Sequence, residues 1–135
     1  MKFMLIMNTP RDGYAQFMKW PKKILEANAT FMQTFTKKLS DAGELVTTEG
    51  LAAPDQAKLV RAGEHGRLIT DGAFAESKEY LAGYWIVDVD SLERALEIAG
   101  EASKAPGVPI TGADGKPIDH LWIEVRQILG NRADP

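Results

Sequence analysis

Residues 80–103, YLAGYWIVDVDSLERALEIAGEAS, run a β-type segment straight into an amphipathic helix. The first ten are rich in aromatic and β-branched side chains, and read as a strand. Beyond them Asp90 and Glu93 have the spacing of a capping box, and Leu92, Ala95, Leu96 and Ala99 recur at helical intervals as the expected buried stripe. Any fold for this chain must lay that helix back on a sheet containing the strand that precedes it.

The flanking segments narrow the choice. Residues 2–8 alternate with apolar side chains on both faces, as a central strand does. A helical turn is expected over 13–20. From Ile24, apolar residues recur at Ala27, Phe31, Phe35, Leu39 and Ala42, a helix that Pro21 suits at its first turn and Gly43 at its end. Residues 44–53 and 57–61 read as strands, and AGEHG has the length and glycines of a hairpin loop joining antiparallel strands over 57–70. Residues 105–117, with three prolines and three glycines, read as loop, and 118–128 as the last strand. The order of strand, helix, strands, helix, strand, without repeats, fits one α+β domain over 1–130 followed by a tail at 131–135. Its plan is the ferredoxin-like split βαβ, with an antiparallel sheet. Helices on one face leave the other needing a cover, and a second copy of the chain is the expected one, giving a homodimer.

Composition excludes several classes of function. A formal charge of −3 with scattered basic residues argues against a nucleic-acid partner, and Lys19, Lys22 and Lys23 read as a solvated helix face. Cysteine is absent, which removes disulfides, thiolate metal sites and a cysteine nucleophile, and fits the cytoplasm as the expected compartment. No apolar run approaches the roughly 20 residues of a membrane span, and MKFMLIM is too short for the core of a signal sequence.

Two stretches carry candidate chemistry. In IDHLWIEVRQI, period two puts Leu121, Ile123 and Val125 on one face and His120, Trp122, Glu124 and Arg126 on the other. That second face would grip a small polar ligand, or Glu124 and Arg126 would simply satisfy charge partners at a dimer seam. His120 is the better general-base candidate, because histidine exchanges protons near neutral pH; His65, in the hairpin loop, reads as exposed and idle. Neither histidine stands at ligand spacing from a second strong ligand, so no metal or other cofactor is expected. The second stretch, DGAFAESKE at 71–79, begins as a turn but is longer than a hairpin needs, and puts Asp71, Phe74, Glu76 and Lys78 between two apolar runs.

The opening KFMLIM, the stretch LVRAGEHGRLITDGAFAESKEYLAGYWIVDVDSLERALEIA and the terminal IEVR together resemble the YCII-related proteins, and within them the branch named for the motif Asp-Gly-Pro-Phe. The likeness covers most of the chain from Met1 to Leu129, and is most specific over 69–96. It implies a dimeric α+β barrel and small-molecule acid–base chemistry, in a family whose suspected activity rests on a histidine and aspartate pair. It also implies a link to extracytoplasmic-function sigma factors. By position Asp71, Gly72 and Phe74 match the motif, Glu76 and Lys78 the acidic and basic positions after it, and Arg61, Glu124 and Arg126 the polar positions of neighbouring strands. Ala73 stands in place of the motif proline, Gln127 in place of a proline after the terminal arginine, and the N-terminal region has no histidine to complete the pair.

Two function classes follow. In the first, an enzyme or degenerate enzyme acts on a small polar metabolite, with Asp71 and His120 as proton carriers and Arg61 and Arg126 as anion clamps on the open sheet face. Phe74, Glu76, Lys78, Trp122 and Glu124 would line that pocket. In the second, a non-catalytic module binds a ligand or docks on a protein such as a sigma factor.

Overall fold

The computed structural model describes residues 1–72 and 79–130, giving the backbone alone for Asp71 and Gly72. In chain order come strand β1 (Lys2–Thr9), helices α1 (Gly13–Met18) and α2 (Lys22–Asp41), strands β2 (Leu45–Gly50), β3 (Lys58–Ala62), β4 (Leu68–Gly72) and β5 (Tyr80–Asp88), helix α3 (Leu92–Ala102), and strands β6 (Ile110–Thr111), β7 (Pro117–Ile118) and β8 (Ile123–Gln127). The main sheet has the order β2-β5-β1-β8, all neighbours antiparallel, which is the ferredoxin-like arrangement. Strand β1 sits inside it, as its two apolar faces require. The hairpin β3–β4 is a separate two-stranded sheet inserted between β2 and β5.

Register decides which side chains meet the helices. Leu5 lies opposite Trp85 on one side and Val125 on the other, and Phe3 lies opposite Val87. These residues bury against Phe35 and Leu39 of α2 and against Ala95, Ile98, Ala99 and Ala102 of α3. Phe35 and Trp85 pack in a T-shaped arrangement at 5.8 Å between centroids. Ile6 and Met4, one residue out of phase, lie opposite Tyr84 and Ile86 on the face away from the helices.

Helix α2 ends as its sequence demands. Gly43 takes a φ of +72°, its amide donates to the Ser40 carbonyl at 3.0 Å, and the Glu44 amide donates to the Leu39 carbonyl at 2.9 Å, the paired bonds of a Schellman cap. That turn aims Glu44 at Arg94, whose Nε and Nη2 each donate to its carboxylate at 2.8 Å, tying the start of β2 to α3. The hydrogen bonds from Arg94 hold the Glu44 carboxyl below its ordinary value, outweighing the rise that burial causes. A depressed carboxyl stabilises the fold above the unfolded-state value of about 4.3 and loses that contribution as pH falls toward its folded value. Glu44→Gln is therefore expected to cost about 1 kcal/mol at neutral pH in urea titrations, with the difference from the native chain shrinking below about pH 4. A difference independent of pH would show that the pair contributes no charge-dependent stability.

Four local expectations need correction. The cap of α3 is Ser91, not Asp90 with Glu93: its hydroxyl accepts the Arg94 amide at 3.2 Å, while Val89 is still bonded to the Met1 carbonyl. The buried stripe of α3 is Ala95, Ile98, Ala99 and Ala102, whereas Leu92 and Leu96 are 45% and 50% exposed. Small alanines let the helix sit close on the sheet, and that face lies about 100° round from the leucines. The segment 105–117 is not pure loop, since Ile110 and Thr111 pair with Ile118 and Pro117. Finally, the last strand begins at Ile123, opposite Met7, where its ladder with β1 ends. His120 and Trp122 consequently precede the strand rather than ride on it.

Candidate functional site

The core occupies one end of the helix–sheet layer, and a cavity of about 980 Å³ occupies the other, where β1 and β2 end and β5 and β8 begin. Its origin is visible in the register. Gly50 and Gly83 lie opposite one another, two residues along from the Thr48–Trp85 pair, so this row of the helix-facing side lacks two side chains. A methyl built on Gly50 would meet nothing within 4 Å. Met7, Trp85 and Ile123 complete the floor.

The roof comes from α1, the side of α2 that runs from Asn28 to Asp41, and the chain around Gly107. Tyr14, Phe17 and Trp20 recur every three residues and form a contiguous aromatic run, with centroids 6.5 Å and 5.0 Å apart. Trp20 lies so close on Gly107 that an added methyl there would stand 2.5 Å from the indole, so only glycine allows the approach. Gln16 fixes α1 to β6 by imitating a strand: its amide nitrogen donates to the Thr111 carbonyl at 3.0 Å, and its oxygen accepts the Thr111 amide at 2.8 Å. Asn28 likewise joins α2 to the loop by donating to the Pro106 carbonyl at 2.9 Å. Thr48 donates to the Tyr84 carbonyl at 2.9 Å, across the floor.

The residues singled out by sequence are distributed over several places. His120 lines this cavity, together with Asp119 and Leu121. Trp122 is 90% exposed and lies outside the lining. Glu124 and Arg126 face the opposite, open side of the sheet, where Arg126 Nε stands 3.6 Å from Glu124 Oε2, a solvent-exposed pair. Arg61 lies on β3, exposed, in a different sheet from both. Asp71 pairs through its backbone with Leu59; its side chain, and Phe74, Glu76 and Lys78 entirely, lie outside the described residues. His65 stands at the exposed hairpin tip with a left-handed φ of 56°. Within the single chain the structure therefore brings His120 to the cavity, and leaves Arg61, Glu124 and Arg126 elsewhere.

Sequence reasoning missed the aromatic run, Gln16, Asn28 and Gly107. The spacing of Tyr14, Phe17 and Trp20 was the signal that could have found the first; nothing local marks the other three, which act on partners 78 or more residues distant.

No helix among the described residues is long and apolar enough to cross a membrane. Comparison with known proteins places the molecule. It is 32% identical over 94 residues, 70% of this chain and 74% of the other, to an uncharacterized protein of Rhizobium meliloti (strain 1021). The pattern that defines the YCII-related domain matches residues 1–111, which span β1 through β6 and so include α1, α2 and Gly107 of the cavity roof. With the ferredoxin-like sheet and this match over most of its length, the chain belongs to the YCII-related family.

Proposed function

We propose that this protein binds a small organic molecule in the cavity between the helices and the sheet, as a homodimer joined through the open sheet face, and that His120 moves a proton to or from the bound compound. The cavity carries this reading. Its volume of about 980 Å³ is that of a small-molecule site, and side-chain hydrogen bonds from Gln16 and Asn28 hold its separate walls in place. His120 puts an imidazole, a group that can donate or accept a proton, at the lining. Support for the dimer comes from Met4, Ile6, Tyr84 and Ile86, half-buried on the face opposite to that on which α2 and α3 pack.

A thermal-shift screen of the native protein and His120→Ala against a metabolite collection tests the proposal, alongside sedimentation of the free protein. A true ligand at about 100 times its Kd adds about 2.7 kcal/mol and raises Tm in both proteins, while conversion of that ligand is expected from the native chain alone. No shift by any compound would remove the binding reading. Equal conversion by His120→Ala would remove the histidine, and a monomer in sedimentation would remove the dimer.

A further inference from the structure

Resting on that reading of the cavity, we infer that its ligand is an uncharged, largely apolar aromatic compound rather than an anionic metabolite. The walls are flat and apolar: Tyr14, Phe17 and Trp20 on one side, Met7 and Trp85 beneath. Methionine beside aromatic rings gives a surface that adapts to a ring of unspecified outline.

Charge argues in the same direction. Among the described lining residues Lys37 is the one lysine or arginine, and its ammonium is already 2.7 Å from the Asp41 carboxylate. Glu49 lies opposite Tyr84 in the ladder, which turns its side chain to the open face and leaves its backbone at the cavity. Asp119, exposed, remains, and beside the His120 imidazole no lysine or arginine among the described lining residues is left to compensate a bound anion. Arg61 and Arg126, the guanidinium groups expected to clamp one, are not in the lining.

Two polar side chains of the walls are committed to the backbone. Asn28 donates to the Pro106 carbonyl and Thr48 to the Tyr84 carbonyl. A carboxylate or phosphate would lose hydration against these apolar walls with no lysine or arginine to replace it, whereas a neutral ring loses nothing of the kind.

Calorimetric titration of the native protein with naphthol, naphthoate and naphthylmethylammonium separates the possibilities, because the three share a ring system and differ in charge at neutral pH. Naphthol is expected to bind, with naphthoate and the ammonium compound each at least about tenfold weaker. Trp20→Ala should weaken naphthol by about tenfold, and Tyr14→Ala, at a half-exposed position that the fold does not need, should weaken it also. Either ion binding as tightly as naphthol would overturn the uncharged-ligand inference and leave the cavity standing as a site. Binding of naphthol unchanged in both variants would place the ring elsewhere and overturn the inference. Heat from none of the three would overturn both this inference and the cavity reading beneath it.

Discussion

Trp85→Ala is expected to lower the free energy of unfolding by about 3–5 kcal/mol. Trp85 is 5% exposed and stands where the packed and hollow ends of the layer meet. On its core side the indole packs T-shaped with Phe35 and lies beside Leu5 in the ladder; on its other side it forms the cavity floor. Alanine would remove the partition, and the remaining side chains could not collapse to fill the gap, since the neighbouring space is already empty. The Phe35 pair alone accounts for about 0.5–1.5 kcal/mol of the loss. Urea unfolding at constant m would measure it, with Trp85→Phe expected to recover most of the stability. A loss below about 1 kcal/mol would mean that the two ends of the layer do not share this wall, and that cavity and core are energetically independent.

The sequence was legible where one residue's environment follows from its own period. The two apolar faces of β1, the Gly43 stop of α2 and the inward Ile123 and Val125 of β8 are of this kind, and the structure has each of them. It was illegible where a distant partner decides. Asp90 and Glu93 have capping-box spacing, yet the strand stays bonded as far as Val89 and the helix starts one residue later, on Ser91. Period two continued backward from Glu124 puts Trp122 and His120 on the same strand face, but the ladder with β1 ends at the Met7–Ile123 pair, before either. Outside the strand's alternation, His120 lines the cavity on the helix side of the sheet.

The cavity was hidden for a related reason. A hollow arises from side chains that are missing in register, and Gly50 and Gly83 are 33 positions apart with no local sign that they face each other. The aromatic roof, by contrast, repeats every three residues within α1 and just past it, and was readable as a stripe without being assignable to any surface beneath. Sequence therefore supplied the materials of the site, and tertiary pairing supplied its position.

That pair of glycines yields a prediction in which two chemically identical changes diverge. Gly83→Ala is expected to cost about 2–3 kcal/mol, because its new methyl would stand 2.9 Å from the Glu49 carbonyl oxygen and 3.3 Å from the Gly50 Cα. Both neighbours are backbone of the paired strand, so relief requires β2 to move away from β5 and to give up the Leu51 amide bond to the Ala82 carbonyl. Gly50→Ala puts its methyl into open space and should change stability by no more than about 0.5 kcal/mol. Glycine's generic weakness in strands would favour alanine at both positions alike, so only the close approach at Gly83 predicts opposite outcomes. Urea midpoints for the two variants decide the matter. Equal, small effects would mean that β2 yields freely at the cavity's edge, and that the floor of the site is softer than its hydrogen bonds imply.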